Sequence, residues 1–236
     1  MNSRLLAGIV FPALLASFTH LPSAGQSVVL SNPDNAPRWG IRASLDISVP
    51  GKIGGTKVFH NDAGFSAGVV YQLPMVANLY FEPGLSLFYD TFNFGSVTIS
   101  DGDGVGHETT PKYSQFGVRV PLTFGYRFDF WEKGGVSILT GPELSVGLSG
   151  RIHGKYLDDI GDLPRDMYGG DNGFRRFNLL WGVGASIDVG AFTIGAVYDF
   201  GLLNTRKDVR PSDPTLTYYK SSFHQNVARV YIGYNF

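Results

Sequence analysis

From Trp39 to Val49 the odd positions are apolar (Trp39, Ile41, Ala43, Leu45, Ile47, Val49), while the even positions are Gly40, Arg42, Ser44, Asp46 and Ser48. A two-residue period of this kind belongs to an extended strand with one greasy face and one polar face. The alternation recurs in residues 64–73, 79–92, 115–130, 136–149, 176–189, 192–203 and 227–236, which predicts eight strands in all. Their apolar faces carry neither a charge nor a glycine. Their polar faces hold Arg42, Asp46, Glu82, Asp90, Arg119, Arg127, Asp129, Glu143, Arg176, Asp188, Asp199 and Arg229, with glycines such as Gly68, Gly84, Gly117, Gly125, Gly182 and Gly195 interspersed.

That division of faces separates two kinds of barrel. A soluble ligand-binding barrel turns its apolar face inward and covers its exterior with Lys and Glu. Here glycines lie beside a few large charged residues, which suits a narrow, packed, polar interior, and the unbroken apolar face suits lipid. The fold class expected is therefore all-β: an eight-stranded antiparallel up-and-down transmembrane barrel with a polar lumen filled by side chains. The connections agree, because short ones (residues 74–78, 131–135 and 190–191) alternate strictly with long ones (50–63, 93–114, 150–175 and 204–226). Short turns at one rim and long loops at the other are the habit of outer-membrane barrels. An even strand number would leave both termini on the periplasmic side.

Ahead of the first strand, Arg4 precedes an apolar stretch at residues 5–18, and small residues Ser23 and Gly25 stand before Gln26. This is the layout of an export signal and is too short for a spanning helix. The expected organisation is a signal peptide at 1–25, cleaved near Gly25 and Gln26, a periplasmic segment at 26–38 and the barrel at 39–236. A net charge of −1 offers no basic face for nucleic acid, and the absence of Cys removes disulfides, thiolate metal sites and cysteine nucleophiles.

The final strand, Val230-Tyr231-Ile232-Gly233-Tyr234-Asn235-Phe236, resembles the C-terminal assembly signal of bacterial outer-membrane barrels. Val118-Arg119-Val120-Pro121-Leu122 leading to Phe124-Gly125-Tyr126-Arg127-Phe128 is similar to a strand pattern of the PorT-like outer-membrane β-barrel family, and Thr140-Gly141-Pro142 and Tyr198-Asp199-Phe200-Gly201-Leu202 resemble that family's following strands. The resemblance spans about residues 38–236 and implies the bacterial outer membrane as location. It also implies two partners: outer-membrane lipids, and the barrel-assembly machinery reached through the strand ending at Phe236. It implies no particular activity.

Charge register gives the candidate lumen residues. If Leu79 faces Phe130 across the third and fourth predicted strands, Glu82 should meet Arg127 and Asp90 should meet Arg119. Asp46, Asp199 and Arg229 lie at matching depths on the first, seventh and eighth, so Arg229 should bridge both acids. Pro83, Pro121 and Pro142 fall inside strands where each removes a ladder donor, and call for local bulges or a one-residue change of register.

Other chemistry is sparse. The mature histidines, His60, His107, His153 and His224, each fall in a different long connection without metal-ligand spacing, so no metal and no cofactor is expected. Asp101-Gly102-Asp103-Gly104 begins like a calcium loop but lacks its remaining ligands. Ser149 with His153 makes no recognisable nucleophile and base pair, so no enzyme is expected. The fourth long connection is mildly basic (Arg206, Lys207, Arg210, Lys220 against Asp208 and Asp213); a merely solvated loop is expected there, with contact to anionic lipopolysaccharide head groups as the alternative. The functional expectation is a structural or surface-binding barrel acting through its long loops towards an unspecified extracellular ligand. The alternatives are a narrow pore or transport accessory and, more remotely, a lipid-modifying enzyme.

Overall fold

Alternating strands leave rows of unpaired backbone groups at their edges unless the sheet closes on itself. In the computed structural model, which describes residues 36–52, 58–100, 106–131, 134–154, 166–169, 174–207 and 223–236, closure is complete. The elements are β1 (Arg38–Pro50), β2 (Phe59–Pro74), β3 (Leu79–Phe94), β4 (Val97–Ser100), β5 (Gly106–Thr109), β6 (Lys112–Trp131), β7 (Gly134–His153), β8 (Phe177–Val189), β9 (Phe192–Gly201) and β10 (Gln225–Asn235). Eight of them form one antiparallel barrel in the order β1-β10-β9-β8-β7-β6-β3-β2, and β1 closes against β10 with Ala43 opposite Ile232. β4 and β5 pair only with each other, so the second long connection carries a separate hairpin and adds nothing to the wall. The signal-peptide segment at 1–25 and most of 26–38 lie outside the described residues.

The molecule is inside-out relative to a soluble protein. Leu45, Phe65, Ile194 and Ile232 project outward and exposed, whereas Asp46, Asp90, Arg119, Glu143 and Asp199 point inward and are buried. Strand parity alone produces this division, because successive side chains leave the sheet on opposite sides. Eight strands enclose a lumen just wide enough to be filled by side chains. The glycines of the inner face are what allow large groups to fit there: Tyr80 lies against Gly125, Tyr231 against Gly195 and Phe88 against Gly117, each occupying the space a Cβ would take. Gly190 serves a different need, adopting φ 61° in the two-residue turn between β8 and β9.

The prolines are accommodated differently from the bulges expected. Pro83, Pro121 and Pro142 leave the register unchanged on either side of them. Instead each ladder lapses for two residue pairs. Between β2 and β3 the pairing stops at Val70–Gly84 and resumes at Leu73–Phe81. Between β3 and β6 it runs from Pro83–Leu122 to Ser86–Arg119, and between β6 and β7 from Pro121–Glu143 to Phe124–Thr140. A proline cannot donate to the ladder, so dropping the pairs around it costs less than shifting a whole strand to the wrong face.

At the rim of the long connections the lumen ends in an aromatic core. Phe59, Phe92, Met167, Tyr168, Phe174 and Phe223 are buried together, with Val58, Phe94, Tyr113 and Ile152 packed around them. Phe59 and Phe223 approach to 4.8 Å between ring centroids, and Phe92 stacks on Tyr113 at 5.1 Å. Strand ends and the third and fourth long connections all contribute, so this core ties the loops to one another and caps the barrel.

Candidate functional site

Arg119, on β6, is 1% exposed and occupies the middle of the lumen. Its Nη1 donates to Asp46 Oδ2 at 2.5 Å, its Nη2 donates to Asp90, and its Nε lies 3.4 Å from Glu143 Oε1. The Phe88 ring covers the guanidinium at 4.1 Å from its centroid. Ser44 and Ser66 hydroxyls complete the shell of Asp46. Glu143 carries the chain of charges onward, since its Oε2 lies 2.7 Å from Arg229 Nη2, and the same nitrogen lies 2.7 Å from Asp199 Oδ2. The result is a continuous buried network, Asp46 and Asp90 to Arg119 to Glu143 to Arg229 to Asp199. A planar guanidinium can serve several carboxylates at once, and a narrow interior with little water requires charges to be held in such groups.

A second pair lies nearer the short-turn rim. Arg42 Nη2 donates to Glu82 Oε2 at 2.9 Å and its Nη1 to Asn235 Oδ1 at 2.8 Å. Arg42 on β1 reaches β3 across the intervening β2 because its ladder partner there is Gly68. Glycine at Gly40 and Gly233 also leaves room for the guanidinium.

These contacts revise the expected pairing. Leu79 faces Tyr126, four residues short of Phe130, because neighbouring strands of a barrel are staggered by its shear and their ends do not lie level. Asp90 and Arg119 do touch, but diagonally, Asp90 being opposite Gln115 and Arg119 opposite Ser86. Glu82 and Arg127 do not pair. Glu82 faces Thr123 and binds Arg42, while Arg127 lies past the end of β3, 3.0 Å from Asp129 and 4.0 Å from Asp188. Arg229 is directly opposite Asp46 on the β1–β10 ladder, yet it binds Asp199 and Glu143, and Asp46 is taken by Arg119. Glu143 and Arg42 were legible as inward charges but not as partners: Glu143 meets Arg119 diagonally on the neighbouring strand, while its contact with Arg229 and that of Arg42 with Glu82 pass over intervening strands.

The histidines also move. His60 lies in β2, His107 in β5 and His153 at the end of β7, so three of the four belong to strands rather than to loops. His224 shares a hydrogen bond of 3.0 Å with the Gly201 carbonyl. Residues 101–104 and most of the basic fourth connection lie outside the described residues.

Above the network, Tyr168 enters the lumen from the third long connection. Its hydroxyl donates to Gln115 Oε1 at 3.2 Å, its ring sits in the space left by Gly147 and Gly150, and the Arg176 guanidinium lies 4.4 Å from the ring centroid. Burial pushes its phenol up to about 12. The arrangement from rim to rim is thus an aromatic cap, an ion-paired middle and the Arg42–Glu82 pair. It is suited to obstructing the lumen.

Among curated proteins none is significantly similar to the chain. Among solved structures the chain is similar to Ail, the attachment invasion locus protein of Yersinia pestis, at 14% identity over 85% of this chain and 97% of that one, with a TM-score of 0.37. It is also similar to the outer membrane protein OprG of Pseudomonas aeruginosa, at 13% identity over 86% and 97%, with a TM-score of 0.43. The model of the outer membrane protein beta-barrel domain matches residues 33–206, most of the chain. With a closed eight-stranded wall, an apolar exterior and a charged interior already described, the chain belongs to the family of the outer membrane protein β-barrel domain.

Proposed function

We propose that this protein is a non-conducting, non-enzymatic outer-membrane barrel that acts structurally or as a surface-binding protein through its long connections. The observation that carries the reading is the buried network centred on Arg119 and Glu143, which spans the lumen between β1, β3, β6, β7, β9 and β10. An aqueous path would have to separate charges whose partners would then be left buried and uncompensated. The aromatic cap adds a second obstruction and gives the long connections a fixed base. In this reading both termini face the periplasm after cleavage near Gly25, the long connections face outward, and the protein is a PorT-like member of its family. Outer-membrane lipids contact the apolar wall, and the assembly machinery binds the last strand through exposed residues that include Tyr234 and Phe236.

Single-channel recording in planar bilayers tests the reading. The refolded protein is expected to produce no resolved conductance steps. Regular steps at neutral pH would replace this reading with the narrow-pore one.

A further inference from the structure

β7 outlasts its neighbour in the wall. Its last pair with β8 joins Val146 to Phe177, and it continues to His153. Along this stretch the register with β6 shifts between Gly117–Gly147 and Phe116–Ser149, which leaves Leu148 as an extra residue. An extra residue reverses the parity of everything beyond it. Below it, Leu144, Val146 and Leu148 itself are exposed on the lipid side. Above it, Ile152 turns inward onto the aromatic cap, while Ser149, Arg151 and His153 turn outward and are exposed. Without the bulge Arg151 and His153 would be driven into the cap. β6 changes character at the same level, its outward side passing from Phe116 through Ser114 to Lys112, which lie opposite Ser149, Arg151 and His153. The apolar band therefore ends at Phe116 and Leu148, with basic side chains directly above.

A groove of about 540 Å³ runs along this edge of β7, with Leu148, Ser149, Arg151, His153, Asp166 and Arg176 in its lining. Arg176 is held in place, since its Nη1 donates to the Gly147 and Leu148 carbonyls at 3.2 and 2.6 Å and its guanidinium lies against the Tyr168 ring. The nearby charges are already engaged: Lys112 pairs with Asp62 at 2.7 Å, and Asp166 Oδ1 accepts from the Tyr168 amide at 2.9 Å. Among the described residues neither Arg151 nor Arg176 is ion-paired. The groove thus presents two uncompensated guanidiniums, whose forks of N–H donors match phosphate oxygens. A free phosphate would use the arginines alone. Only an anion with an apolar part also uses Leu148 and the band beneath it.

We propose that the groove above Leu148 binds one phosphate-bearing lipid, its phosphate held by Arg151 and Arg176 and its acyl chains lying along Leu144, Val146 and Leu148. The site deepens the surface-binding reading of the barrel and rests on it, with a lipid phosphate as the ligand.

Native mass spectrometry of the micelle-folded protein, titrated with phosphatidic acid, tests the site. One lipid per barrel is expected to be retained in preference to phosphatidylcholine, whose phosphate is masked by its own quaternary amine. Arg151→Gln is expected to weaken retention about tenfold, the worth of one charge-assisted hydrogen bond. Arg151 is exposed and unpaired, so the variant folds as the parent does. Lys52→Gln removes another exposed cation, just beyond β1, and is expected to change nothing. No retained lipid, retention unaffected by Arg151→Gln, equal weakening by Lys52→Gln, or displacement of the lipid by an equal concentration of inorganic phosphate would each overturn the site. The titration in micelles is indifferent to whether the barrel conducts, so this site and the non-conducting reading fail separately.

Discussion

Arg119 and Asp46 belong to strands that share no edge, β6 and β1, yet their side chains meet at 2.5 Å across the lumen. The contact turns the interior from a set of neighbouring pairs into a brace that joins opposite walls. Glu143 and Arg229 do the same between β7 and β10, at 2.7 Å.

Because Arg119 serves Asp46, Asp90 and Glu143 together, replacing it with Met should cost at least the roughly 3–5 kcal/mol typical of breaking a buried pair. Urea unfolding from lipid vesicles measures this. A variant as stable as the parent would show that the guanidinium is not needed to hold the acids.

Gly125→Leu should destabilise by about 1–3 kcal/mol, because the added side chain enters the space held by Tyr80. Combining it with Tyr80→Ala should cost less than the two changes added separately. Strict additivity in the same unfolding assay would mean that the two residues do not share that space.

The outward face predicts a different response. Val183 lies in the middle of β8 and projects into lipid. Val183→Arg is expected to cost about 2–4 kcal/mol in vesicles. Unfolding at the parent's urea concentration would contradict the face assignment.

At the other rim, Phe59→Ala should loosen the cap and leave the wall standing, since Phe59 contacts Phe92, Phe94, Tyr113, Phe174 and Phe223. Limited proteolysis in micelles should then cleave the long connections faster while the strand-protected core survives. Cleavage no faster than in the parent would show that the aromatic cluster does not restrain the loops.

The wall was legible in the sequence because a two-residue period reports a face directly: Trp39, Ile41, Ala43 and Leu45 could only lie together, and Arg42 and Asp46 opposite them. The turn of two residues at Gly190 and Ala191 was equally plain. The hairpin of β4 and β5 was not, since Val97–Ser100 is too short to stand out from a loop. Register was also hidden. Leu79 faces Tyr126 rather than Phe130 because stagger belongs to the closed barrel and not to either strand. For the same reason Arg119 and Asp90 could be associated from charge and depth, whereas the Arg119–Asp46, Glu143–Arg229 and Arg42–Glu82 contacts pass over intervening strands and leave no sequence signal beyond the inward direction of each charge. The prolines signalled disturbance correctly but not its form, because whether a ladder bulges or lapses depends on the strands on both sides.

The brace across the lumen is tested most directly by a double-mutant cycle on Asp46→Asn and Arg119→Gln, followed by urea unfolding from vesicles. A direct buried contact predicts a coupling energy of about 1–3 kcal/mol between two strands that share no ladder. A coupling within about 0.5 kcal/mol of zero would mean that the two side chains do not interact, and would contradict the account of the lumen as a cross-braced, closed interior.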